Sequence, residues 1–82
     1  MDFTVHAKGA GKRIRVKDRI AGADAFNEFL DPDQSAIVTI GSNDGQTGDI
    51  DIFAQMRADS PWTIVKEDYS VRIGETVDVD DV

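Results

Sequence analysis

Any chemistry in this chain has to come from carboxylates, amines and hydroxyls, because it holds one histidine, His6, and no cysteine. A nucleophilic triad needs a base that titrates near neutrality, with an orienting acid, beside an activated nucleophile. His6 alternates with Thr4 and Lys8 and reads as a surface histidine, and a metal centre of several imidazoles or thiolates is excluded by the inventory. Asn43, Asp44, Asp49 and Asp51 place hard oxygens around a glycine-rich bend, as calcium sites do, but the EF-hand ligand order and its closing glutamate are missing. Turn chemistry accounts for Asn, Asp and Gly there without an ion. The run Lys8-Gly9-Ala10-Gly11-Lys12-Arg13 has glycines that would let amides approach a phosphate, yet a P-loop requires Gly, four residues, then Gly-Lys-Ser/Thr, and Arg13 stands where the hydroxyl belongs. No two of the sixteen acids are isolated in an apolar pocket that would separate their pKa values. The expectation is a protein that is not an enzyme and uses no cofactor or metal.

Charge is the more informative signal. Residues 1–19 carry Lys8, Lys12, Arg13, Arg15, Lys17 and Arg19 against Asp2 and Asp18, which is +4; residues 20–82 carry three cations against fourteen acids, which is −11. Summed charge of this kind governs which partners are attracted, and how fast. The net charge of −7 disfavours direct binding to nucleic acid by the molecule as a whole. Two candidate contact sets follow. The acidic one comprises Asp24, Glu28, Asp31, Asp33, Asp44, Asp49 and Asp51; the basic one comprises Lys8, Arg13, Arg15, Lys17 and Arg19. The acidity also suits plain solubility or adaptation to high salt, since aspartate outnumbers glutamate thirteen to three and only four lysines occur.

The elements that would position these groups are mostly strands. Phe3, Val5 and Ala7 alternate with polar residues, as do Ile14 and Val16 with Arg13, Arg15 and Lys17, which is period two. With Gly9-Ala10-Gly11 between them, residues 3–20 read as a hairpin whose exposed face gathers the cations together with His6. No aromatic residue is expected on that face, which weakens a single-stranded nucleic-acid reading. Over Gly22 to Leu30, Phe26, Phe29 and Leu30 fall at i, i+3 and i+4, with Asp24 as a cap and Asp31-Pro32 as a stop; the spacing predicts a short helix. Ala36 to Ile40 reads as a central strand. Residues 36–57 read as a second hairpin with an enlarged loop, and Asp59-Ser60-Pro61 as a turn. Trp62–Lys66 and Tyr69–Ile73 read as two short strands reversing at Glu67-Asp68. Residues 75–82 alternate valine with acid, as an edge strand or a frayed acidic tail.

The predicted plan is therefore one α+β domain over residues 1–82, ordered β-β-α-β-β-β-β: an antiparallel sheet of about five or six strands with one helix on one face. The helix would leave apolar surface near Phe53 and Trp62 for a partner. No long apolar run is present, so no membrane span or signal peptide is expected, and the chain reads as soluble and cytoplasmic.

In size, acidity and this one-helix plan the chain is similar to small phage-encoded inhibitors, anti-CRISPR and anti-restriction proteins among them. The likeness is of general character over the whole chain and transfers no residue's role. It implies an acidic binding protein that imitates a phosphate backbone and occupies the basic nucleic-acid-binding surface of a protein or ribonucleoprotein complex. The alternatives are a small structural, accessory or immunity-like interaction module, and nucleic-acid binding through the basic 8–19 hairpin.

Overall fold

In the computed structural model, which describes all of residues 1–82, the chain forms seven strands and no helix: β1 Asp2–Ala7, β2 Lys12–Asp18, β3 Ala23–Leu30, β4 Ser35–Thr39, β5 Thr47–Gln55, β6 Thr63–Arg72 and β7 Thr76–Val79. They build two sheets, one of three strands in the order β4-β1-β7 and one of four in the order β3-β2-β5-β6. The expected α+β plan is overturned, and the fold is all-β. With no helix at all, none is long and apolar enough to cross a membrane.

Period-two patterning explains the core. Phe3, Val5 and Ala7 of β1, Val38 of β4, Val77 and Val79 of β7, Ile14 and Val16 of β2, Ile50, Ile52 and Ala54 of β5 and Val71 of β6 are all buried in a single cluster. Both sheets contribute to it, so each buries one face against the other in a two-layer sandwich. Phe26, Val65 and Tyr69 pack against its margins.

Residues 23–30 are the main correction. Eight residues give a helix of about two turns, too short to be stable without tertiary help. As a strand they pair along β2, Arg13 opposite Phe29, Arg15 opposite Asn27 and Val16 opposite Phe26, and so cover an edge of β2 with backbone hydrogen bonds. Plain alternation is missing because Glu28 puts a charge opposite the inward Ile14 and Phe29 an apolar ring opposite the outward Arg13, while a register shift between Val16 and Lys17 adds an extra residue at Ala25.

Neither predicted hairpin forms. The Gly9-Ala10-Gly11 link carries the chain from β1 in one sheet to β2 in the other, with Gly9 at φ +85°. Residues 40–46 likewise carry it from β4 to β5. β4 is an edge strand rather than a central one, and its Ile37 is 71% exposed. β6 is one strand of ten residues; Asp68, at φ +51°, makes an irregularity in it where a reversal was expected. The turn over residues 59–61 closes the hairpin of β5 and β6, tied by the Gln55 side-chain amide donating to Ser60 O at 2.5 Å. The acidic end of the chain is an ordered edge strand, β7, which pairs parallel with β1 through Val5 opposite Val77 and Ala7 opposite Val79.

Candidate binding surfaces

β2 lies between β3 and β5, so its outward side chains form the middle column of the outer face of the four-stranded sheet. Arg13, Arg15 and Lys17 occupy that column while Ile14 and Val16 point into the core, as the alternation required. Arg19 follows just beyond the strand. Lys8 is exposed in the β1–β2 link and His6 sits on the outer side of the other sheet, so neither joins this face.

Antiparallel register then decides what surrounds each cation. Arg15 Nε donates to both carboxylate oxygens of Asp24 at 3.0 Å, and its guanidinium stands over the Phe53 ring, 5.0 Å from the centroid. Arg13 Nη1 donates to Asn27 Oδ1 at 3.1 Å. Lys17 is opposite Asp24 on β3 and Asp51 on β5 and forms no ion pair with either. The outer face also carries Phe29, 51% exposed opposite Arg13, and the cross-strand pair of Phe53 with Ile64, the latter 53% exposed. The expectation that aromatics are absent from the basic face is therefore wrong. A strand reading of residues 23–30 would have found Asn27 and Phe29 there, pointing opposite to Phe26 and Leu30.

At the end of this column Arg19 is enclosed by three carboxylates: Asp51 at 3.1 Å, Asp68 at 3.5 Å and Asp49 at 3.6 Å. The Asp68 amide, donating to Asp51 Oδ1 at 2.8 Å, and then the Arg19 guanidinium hold the Asp51 carboxyl below the usual range. Asp49 is pushed above it, because it shares a hydrogen bond with Asp68 and faces that residue's charge. Asp49 and Asp68 line an open cleft of about 440 Å³ together with Asp44, Asn43, Ile20 and Ser70. Asp44 itself is spent on its own loop: it accepts from the amides of Gln46 and Thr47 at 2.8 Å each, which depress its carboxyl to about 2. Of the four oxygen-bearing residues weighed for calcium chemistry, Asn43, Asp44 and Asp49 line this cleft and Asp51 does not, and no three His, Cys, Asp or Glu side chains are grouped to hold a metal ion.

Two charged residues of β2 point inward and were not anticipated. Lys12 is fully buried, donating to Lys8 O at 2.6 Å and Val79 O at 2.8 Å and pairing with Asp81 at 2.9 Å. Asp18 accepts from the amides of Ile20 at 3.0 Å, Ala21 at 3.2 Å and Gly41 at 2.7 Å. Both fasten links between the sheets, and both satisfy their polar atoms as burial demands.

The expected acidic set does not form one face. Asp24, Asp49 and Asp51 are paired with arginines of the four-stranded sheet. Glu28 is exposed on the edge strand β3, and Asp31 and Asp33 lie in the β3–β4 turn, where Asp33 approaches His6 at 3.8 Å. A second acidic surface was missed. On the outer face of the three-stranded sheet, Asp2 bonds Thr39 at 2.7 Å and Asp78 bonds His6 at 2.9 Å, among Thr4, Thr76 and the exposed Ile37. None of β1, β4 and β7 carries a lysine or arginine.

No family model, no curated protein and no solved structure matches the chain. Without the helix, the part of the likeness to small inhibitors that rested on a one-helix plan falls away, leaving size and charge.

Proposed function

We propose that this chain is a non-enzymatic binding protein that blocks a nucleic-acid-handling protein by covering its basic surface. The contact surface in this reading is the outer face of the three-stranded sheet. The observation that carries it is the composition of that face: Asp2 and Asp78, flanked by Asp33 and the exposed Asp80, with no lysine or arginine on any of its three strands. Carboxylates fixed on a rigid sheet, with hydroxyls between them, attract a cationic groove and set the orientation of docking. The exposed Ile37 supplies an apolar centre of the kind interfaces bury. Asp24, Asp49 and Asp51 are reassigned from contact to fold, because each is paired with Arg15 or Arg19 within the four-stranded sheet.

The test is capture of purified nucleic-acid-handling complexes on the immobilised protein across a salt series. Binding should weaken as salt rises, and the double substitution Asp2→Lys with Asp78→Lys should slow association by about tenfold. Asp24→Asn should leave association unchanged. Association indifferent to the Asp2 and Asp78 reversals would remove the basis for this surface.

A further inference from the structure

The outer face of the four-stranded sheet has features the acidic reading does not use. From Phe29, Phe53, Arg13, Arg15 and Lys17 we infer that this face binds a single strand of nucleic acid, bases stacking on Phe29 and Arg15 and phosphates meeting Arg13 and Lys17. The inference goes beyond the proposed function and stands independently of it, since it concerns the opposite side of the sandwich.

Three observations carry it. First, Phe29 is 51% exposed on the outer sheet face directly opposite Arg13, so one ring is available to a base while a donor stands ready for the adjoining phosphate. Second, Arg15 is held from two sides, by the Asp24 carboxylate at 3.0 Å and by the Phe53 ring beneath it, 5.0 Å away. A guanidinium fixed in this way offers its free side to a base, the arrangement in which arginine planes stack on unpaired nucleotides. Third, Arg13 is oriented by the neutral Asn27 amide rather than by a carboxylate, which leaves its charge for a polyanion; Lys17, opposite Asp24 and Asp51, makes no direct ion pair and keeps its ammonium free to bond a phosphate. Alternate residues on a strand are about 7 Å apart. The three cations therefore make a straight column along which an extended backbone runs. A duplex presents no base faces to such a surface, so an unpaired strand is the form selected.

The net charge of −7 opposes this binding from a distance, and acids flank the column itself: Asp24 beside Arg15 and Lys17, and Asp49, Asp51 and Asp68 at its Arg19 end. Affinity therefore has to come from stacking and close phosphate contacts, which makes it dependent on the aromatic ring as well as on salt. The experiment is fluorescence anisotropy of the intact protein with short labelled oligo(dT), oligo(U) and a duplex of equal length, at low ionic strength. Saturable binding of a single strand with little of the duplex is the expected result; preference between the two oligonucleotides distinguishes DNA from RNA. Phe29→Ala should weaken binding by about tenfold, the worth of one base–aromatic stack. Arg13→Ala should lower the slope of log affinity against log salt by about 0.7. Phe29 and Arg13 are exposed, so both variants should keep the wild-type melting curve. Absence of saturable binding to either oligonucleotide, or equal binding by folded Phe29→Ala, would overturn the inference. Loss of oligonucleotide binding would leave Asp2- and Asp78-dependent capture of a protein untouched, so the two readings fail separately.

Discussion

The two sheets handle charge in opposite ways. The three-stranded sheet bears no lysine or arginine, and its acids answer only to His6 and to the Thr39 hydroxyl. The four-stranded sheet bears every cation that lies on a strand and meets two of its arginines with acids: Asp24 from β3 for Arg15, and Asp49, Asp51 and Asp68 from β5 and β6 for Arg19. The division of charge along the sequence therefore becomes a division between sheets, but only in part. Antiparallel pairing places β2, from the basic segment, between two strands from the acidic one, and opposite charges facing across a ladder attract. Strands from the two segments pair in both sheets, so segregation in sequence is undone where the cation-bearing β2 does the pairing and kept where β1, which carries no lysine or arginine, does it.

Lys12 is the sharpest way to break the relation between the sheets. It belongs to β2 but its ammonium bonds Val79 O on β7 and pairs with Asp81 beyond it, bolting one sheet to the other from inside. Removing the buried ammonium takes the donor from Lys8 O and Val79 O and leaves a cavity, while the exposed Asp81 returns to water, a loss of about 2 kcal/mol or more. Lys12→Ala should show this in urea unfolding. Arg15→Ala removes an ion pair that is partly exposed and should cost no more than about 1 kcal/mol. Comparable losses for the two would mean that Lys12 does not join the sheets in the way its contacts indicate.

How much of this was legible from the residues follows the range of the forces involved. Alternation over residues 3–8, 13–20 and 49–57 marked the strands observed at 2–7, 12–18 and 47–55, and told inward Ile14 and Val16 from outward Arg13, Arg15 and Lys17, because facing is a local property of the pleat. Pairing is not local. Gly9-Ala10-Gly11 suits a hairpin and a crossover equally, and only the burial of both sheets' apolar faces against each other selects the crossover. At residues 23–30 the Phe26, Phe29 and Leu30 spacing fits a helix, and the charged Glu28 on the inward side with the apolar Phe29 on the outward side removes the strand signal that would compete with it. The burial of Lys12 and Asp18 could not be read from sequence, because burying a charge becomes acceptable only once the backbone groups it bonds are known. The candidate surfaces inherit these limits: the cation column and the outward Phe53 were readable, and the pairing that brings Phe53, Phe29 and Asn27 beside that column was not.

A smaller effect sharpens the account of the four-stranded sheet. Asp68 reaches Arg19, and its amide reaches Asp51, from a left-handed backbone at φ +51°, a conformation that a Cβ resists and glycine does not. Asp68→Gly should therefore be more stable than Asp68→Ala by about 1 kcal/mol in thermal or urea unfolding, although both lose the same carboxylate. Equal stability would mean that the irregularity in β6 is not fixed by that backbone angle.

The smallest effects lie in the acid range and separate two carboxylates that line the same cleft. Asp44 falls from an ordinary 3.8 to about 2 on folding, held there by the Gln46 and Thr47 amides. An acid with a depressed folded-state pKa binds fewer protons folded than unfolded, so its contribution is complete above the unfolded value and disappears as pH falls from about 4 toward 2. Asp49 is shifted the other way by Asp68. Its ionised form is disfavoured in the folded protein, so the penalty is present at neutral pH and relieved as pH drops through its raised value. Melting temperatures measured across pH should resolve the pair. Asp44→Asn should lower Tm at neutral pH and converge on the wild type in acid, whereas Asp49→Asn should raise Tm slightly at neutral pH and lose that advantage in acid. A neutral-pH loss for Asp49→Asn would mean that its attraction to Arg19 outweighs its repulsion by Asp68, and the arginine end of the column would then be fully matched rather than overcharged.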